Sequence, residues 1–252
     1  MKSKILIFFT VFCFIFSVQN LPAKGKWEFN VHYSTWSLNL LKGVIEDMAN
    51  DAIEEEFKNE ILKEHPDLIE AYYSQDVNFD SSGNNYGFEI RFYPGGENGS
   101  FSIGFSIEKT RMELSLDGKV RDEFTNGSYV DLNAEGDFIM EPLSYNISFR
   151  WDIKPSWRVR PYFTFGFGVA PLNGNTSYSL IGEFYNADEN ELESETIEGK
   201  ENLKDIEDIP SIVPIIQLNF GIKGEITKNL HLLIDAGIWN GFLLRGGLSF
   251  RI

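Results

Sequence analysis

The chain is short of several things at once. Among its 252 residues there is one cysteine, Cys13, and there are three histidines, His32, His65 and His231. Cys13 lies in an N-terminal apolar run, so the remainder has neither disulfides nor thiol chemistry. Beyond that run no stretch of 18 apolar residues occurs, which excludes a membrane-spanning helix but not spanning strands, whose apolar residues alternate. No basic stripe offsets the formal charge of −16, which argues against nucleic acid as a partner. That acidity is local, because residues 46–70 and 183–208 carry 21 of the 38 acids and the rest is close to neutral. It belongs to two segments and not to the fold.

What is present begins with Lys2 and Lys4, the apolar Ile5–Val18 and the small-residue site Ala23-Lys24-Gly25. This reads as a secretory signal peptide over residues 1–25, leaving a mature domain over 26–252. Aromatic residues are abundant, at 15% with 22 Phe.

Period-2 alternation then recurs in eight segments. Trp27, Phe29, Val31 and Tyr33 alternate with Glu28, Asn30, His32 and Ser34, and the same pattern recurs at 86–93, 101–108, 143–153, 157–169, 216–222, 230–238 and 242–252. Short turns join the second to the third, the fourth to the fifth and the sixth to the seventh segment, and Asn240-Gly241 marks a hairpin between the last two. Long polar segments, roughly 39–85, 118–141 and 171–213, make the other connections. The expectation is an all-β, eight-stranded antiparallel up-and-down transmembrane β-barrel with an elaborate external rim. Met112, Leu114 and Leu116 shift the apolar phase of the third segment, which suggests a β-bulge near Lys109–Arg111 and a hairpin reaching the Asn126-Gly127 turn.

Volume decides which way the apolar face points. Eight strands supply roughly 40 bulky apolar side chains, and an eight-stranded interior holds only its own side chains or one small ligand. The apolar face therefore looks into lipid. The opposite face sends Glu28, Glu89, Arg91, Arg150, Asp152, Arg158, Arg160, Asp235 and Arg245 into a polar lumen, together with Glu108, Lys223, Glu225 and Arg251. Ion pairing there closes the barrel more readily than it opens a path. Trp27, Trp151 and Trp157 fall at the short-turn ends and form an aromatic girdle at one interface.

The first long connection differs from the others. Leu41, Val44, Ile45, Met48, Ala52, Phe57 and Ile61 recur at helical spacing, predicting an amphipathic helix from about 39 to 64, ended by Pro66, within a helical external cap over 39–70. The segment 171–213 reads as an acidic, weakly patterned external loop.

At this point the chain resembles the small eight-stranded outer-membrane barrels, the group that contains the OmpA membrane domain and the OmpX and OmpW families, over essentially all of 27–252. The sharpest shared element is the barrel-assembly signal at the end of the last strand, here Arg245, Gly247, Phe250 and Ile252. Members often end on Phe where this chain has Ile252. The resemblance implies recognition by the barrel-assembly machinery, and residence in the outer membrane of Gram-negative bacteria among lipid and lipopolysaccharide.

Some small barrels modify lipid A, but His32 and His231 sit on non-adjacent strands and His65 precedes Pro66, so no Ser/His/acid constellation forms and no enzyme is expected. Asp76, Asn78 and Asp80 resemble the start of a calcium loop, yet Ser81 and Gly87 occupy the positions where an EF-hand needs Gly and Glu. They are weak external candidates for divalent cations, and no cofactor is expected. The functional expectation is a structural or surface-interaction barrel displaying acidic loops. A porin-like, OmpW-like channel for small solutes is the alternative, and a lipid A-modifying enzyme a more distant one.

Overall fold

The computed structural model describes residues 25–64, 69–206 and 209–252, with the side chains of 56–62 and 64 left aside. The signal-peptide reading falls outside these residues except at Gly25, and so does the helix stop at Pro66. Eleven strands form one antiparallel sheet: β1 (Lys26–Ser37), β2 (Glu70–Tyr93), β3 (Phe101–Phe124), β4 (Tyr129–Met140), β5 (Leu143–Asp152), β6 (Val159–Pro171), β7 (Gly174–Asn186), β8 (Glu191–Asn202), β9 (Ile212–Glu225), β10 (Leu230–Trp239) and β11 (Phe242–Arg251). The expected number was eight, and the sheet has eleven among the described residues.

The pairings close on themselves. β1 pairs with β2, β2 with β3, β3 with β5, and the order continues through β6, β9, β10 and β11 back to β1. The closing seam sets Phe29 opposite Phe250 and Val31 opposite Leu248. β4, β7 and β8 stand outside this ring. β3 pairs with β5 as far as Lys109–Leu143, then passes to β4 from Met112–Met140 up to Glu123–Tyr129. β4 in turn pairs with β7, and β7 with β8. Together with the upper halves of β2 and β3 they make a five-stranded spur rising about 40 Å from one end of the ring.

The extra strands occupy 118–141 and 171–213, which composition alone marks as loops. The acidic stretch 183–208 folds back as the β7–β8 hairpin. Its low apolar content hid the strands, because β8 carries Glu at 191, 193, 195, 198 and 201 and is exposed along almost its whole length. Charge on an edge strand discourages further strand pairing while permitting the strand itself. No bulge interrupts β3 near Lys109–Arg111, since its register with β2 is regular throughout that region. Ser102, Ser106, Glu108, Thr110 and Met112 all face inward. The phase shift is a change of surroundings at constant parity.

The predicted helix exists as α1 (Lys42–Glu64), preceded by a 3₁₀ turn at Asn39–Leu41, but it is not amphipathic in the expected sense. Leu41, Val44 and Met48 of the proposed apolar stripe are exposed. The helix runs along the edge of β2 that β1 leaves uncovered above Trp36–Gly83. Polar contacts hold it there: Asn39 Oδ1 accepts from the Ser81 N–H at 2.8 Å, Glu46 Oε1 from the Phe79 N–H at 2.9 Å, and Asn78 Oδ1 from Lys42 at 2.6 Å. The Asn39 and Glu46 oxygens satisfy backbone donors that an unpaired edge would leave open. Among the described residues no helix is long and apolar enough to cross a membrane.

Candidate functional site

The interior of the ring is built in layers from the inward half of each strand. At the short-turn end, Glu28 meets Lys223, Arg251 at 2.8 Å and Arg150 at 3.7 Å. Arg251 also approaches Asp152 at 3.7 Å and stacks on the Tyr93 ring at 3.9 Å. Tyr93 donates to Asp152 at 3.2 Å and receives Lys223 at 3.3 Å. One layer up, Arg91 reaches Glu89 and Ser148, both at 2.6 Å, and Asn30 donates to Glu89 at 2.7 Å. Gly104 makes room for this layer, because a Cβ there would stand 2.5 Å from Glu89 Oε1 and 2.7 Å from Arg91 Nη2.

Next, Glu108 accepts from Ser106 at 2.8 Å and Asn85 at 3.0 Å, with Arg245 at 3.5 Å and His32 at 3.6 Å. Asp235 accepts from Tyr162 and, at 2.9 Å, from Asn219. Each buried acid thus has a cation or several neutral donors, the condition under which charges tolerate burial.

The last layer is of another kind. Trp36, Met112, Ala170, Ile215, Trp239 and Leu243 are buried together, with Leu38, Leu114 and Met140 packed against them. Trp36 Nε1 donates to the Trp239 carbonyl at 3.2 Å. The ring of Trp36 lies over Gly241, whose φ of +153° and lack of a Cβ permit the approach; a Cβ there would sit 2.3 Å from Trp36 Nε1. This apolar plug closes the lumen at the spur end, on top of the ionic layers.

Of the residues assigned to the lumen from sequence, Glu28, Glu89, Arg91, Arg150, Asp152, Arg160, Asp235 and Arg245 are buried there. Arg158 is not: it precedes β6 in an exposed turn. Arg245 and Gly247 of the terminal motif face inward, whereas Phe250 and Ile252 are exposed. Trp27 and Trp151 lie on the outer face, Trp27 beside Phe92 at 4.9 Å and Trp151 between Phe101 at 5.4 Å and Phe163 at 5.9 Å. Trp157 stands in the β5–β6 turn under Lys154, and not on a strand. The cation candidates lie on β2, where Asp80 and Asn78 are engaged by Asn39 at 2.7 Å and Lys42 at 2.6 Å. The plug was missed in sequence, although Trp239 and Met112 at inward parity were its visible signal.

Outside, every strand of the ring carries exposed large apolar side chains, among them Val31, Phe88, Phe105, Ile147, Phe167, Phe220, Ile234 and Leu248. Leu143 to Trp151 spans about 26 Å along β5, or about 20 Å once tilted by about 40°, near the about 25 Å band of outer-membrane barrels.

Comparison with family profiles and with curated proteins finds no match. Solved structures that align over most of the chain include three autotransporter domains. The translocator domain of NalP from Neisseria meningitidis is 8% identical, with 94% of this chain and 91% of that one covered, at a TM-score of 0.26. The β domain of the Bordetella autotransporter BrkA is 8% identical over 90% and 98%, at 0.25, and the transport unit of AIDA-I from Escherichia coli 7% over 92% and 91%, at 0.20. Likeness at these scores carries no weight, so the ring-like, all-β architecture stands on the pairings above.

Proposed function

We propose that the chain is an outer-membrane β-barrel whose ring anchors it in lipid and whose spur, with α1, is displayed at the cell surface in a structural or interaction role. The supporting observation is an inversion of polarity: the ring buries Glu28, Arg91, Asp152 and Lys223 inside and exposes a continuous apolar belt outside. In water that arrangement would expose far more apolar surface than a soluble monomer tolerates, whereas in a bilayer it is the stable one. Lipid and lipopolysaccharide are the partners of the belt, and the barrel-assembly machinery that of Arg245, Gly247, Phe250 and Ile252.

The plug favours a closed barrel over an OmpW-like channel, because a solute would have to pass Trp36 and Trp239 and then three ionic layers. It also sets His32 and Glu108 beneath a seal, away from any lipid substrate. Two measurements test the proposal. The folded protein is expected to migrate faster on gels than its heated form, and to stay silent in planar bilayers. Steady single-channel conductance from the full chain would replace the closed anchor with a channel. A gel shift without membrane retention would remove the membrane reading itself.

A further inference from the structure

The spur has two unlike faces, and cross-strand pairing assigns its residues to them. Leu132, Ala134 and Phe138 of β4 pair with Gly182, Leu180 and Thr176 of β7, and Tyr178 and Leu180 pair with Gly199 and Ile197 of β8. Directly opposed residues share a face. One face of β4 and β7 is therefore largely apolar, with Ile197 and Gly199 added by β8, and it continues the face of β3 that bears Leu114, Val120 and, at the plug, Met112. The opposite face carries Asp131 and, around a cleft of about 470 Å³, Glu135, Asp137, Ser177, Glu198 and Lys200.

The apolar face is covered only in part. Over β2 and β3 the chain supplies its own cover: Val77, Phe79, Val120 and Phe124 are buried, and Ile53 of α1 approaches Gly118, where an added Cβ would stand 3.9 Å from it. Over β4 no residue is buried, and Phe138, Tyr178 and Ile197 are each about two-fifths exposed (38%, 41% and 43%). A sheet with one apolar face ordinarily buries it against a second layer. The boundary of the bare patch is acidic. Glu193, Glu195 and Glu201 lie on the same face along the edge strand.

We propose that this patch binds a cationic amphipathic helix of another polypeptide, laid beside α1 with its apolar side on Leu132, Phe138, Tyr178, Leu180 and Ile197 and its Lys or Arg residues against the β8 glutamates. The inference rests on the surface-display reading above and names the class of partner. Charge complementarity selects this occupant. A second copy would bring two glutamate edges together, and a lipid surface would draw Glu193 and Glu195 into an apolar phase. α1 already shows that a helix fits this face.

The test uses the full chain in nanodiscs, with empty nanodiscs subtracted, and three labelled helical peptides of about 18 residues patterned Leu/Lys, Leu/Ser and Leu/Glu. Fluorescence anisotropy is expected to show the Leu/Lys peptide binding at least about tenfold more tightly than either other, less so at high salt. Phe138→Ser with Ile197→Ser should abolish binding, and Glu193→Gln, Glu195→Gln and Glu201→Gln together should bring the Leu/Lys peptide down to the Leu/Ser level. Binding that survives the serine pair would mean attraction by acidity alone, and equal binding of Leu/Ser would mean no charge recognition; either overturns the proposal. A concentration-dependent dimer abolished by the serine pair would assign the patch to a second copy. Retained heat-modifiable migration in every variant separates loss of this site from failure of the barrel reading.

Discussion

β3 passes through both regions of the molecule without changing parity, and the two halves say opposite things. In the ring its outward residues are Phe101, Ile103, Phe105 and Ile107, and its inward ones Ser102, Ser106 and Glu108. In the spur the outward residues are Glu113, Asp117, Lys119 and Arg121, and the inward ones Leu114, Val120 and Phe124. One regular strand, 24 residues long, thus inverts its polarity where β5 gives way to β4. The geometry of the strand does not require this. On the proposed reading what changes is the medium: below, the outside is lipid and the inside a crowded polar lumen; above, the outside is water and the inside an apolar layer that α1 covers in part. The plug of Trp36, Met112 and Trp239 marks the level at which one regime ends.

The sharpest way to break the comparison is to unbalance the lumen. Glu28→Ala leaves Lys223, Arg251 and Arg150 without their shared carboxylate and is expected to cost about 3–5 kcal/mol, read as a lower urea midpoint by tryptophan fluorescence in vesicles. An unchanged midpoint would mean that those cations are already hydrated. Next in size is Phe105→Arg on the belt, expected to cost about 2–4 kcal/mol in lipid, while Asp117→Arg on the same face of the same strand leaves folding intact. Equal effects at the two positions would erase the proposed boundary between lipid and water. Gly241→Ala, which pushes Trp36 from its seat in the plug, is expected to cost about 1–3 kcal/mol and to shift the tryptophan emission. The smallest effect belongs to the spur surface: Arg121 meets Glu123 at 2.8 Å and Asp131 at 2.9 Å in the open, and Glu123→Ala should leave the midpoint where it was.

Much of the ring was legible because its strands alternate apolar and polar residues with a regular signal. Trp27 to Tyr33 or Leu143 to Trp151 alternate without interruption, and the interior of a narrow barrel forces the sense of the alternation by volume alone. The lumen residues followed from the same parity, with Arg158 misplaced because a turn, and not a strand, holds it. The spur was not legible to the same degree. β8 is rich in Glu and resembles a mobile loop by composition, yet Leu180 and Ile197 pair across it. The helix was found by its periodicity, but among its described side chains Lys42, Glu46 and Asn50 make polar contacts to β2, and no apolar pattern announces those. The bulge placed near Lys109–Arg111 had a sound local motive, since apolar residues changed from odd to even positions.

That change separates what the sequence determined by itself from what only the tertiary structure decided. Alternation sets the two faces of each strand, because successive side chains must point in opposite directions, and this alone determined which residues of β1, β5 or β11 lie together. Alternation does not say what lies beyond a face. Whether Met112 meets solvent, lipid or Trp239 depends on β1, β6, β9, β10 and β11 arriving at the same level from distant parts of the chain. The plug is such a long-range meeting, and it exists only once the ring has closed, whereas the passage of β3 from β5 to β4 and the seat of α1 along β2 join elements that are neighbours in the chain.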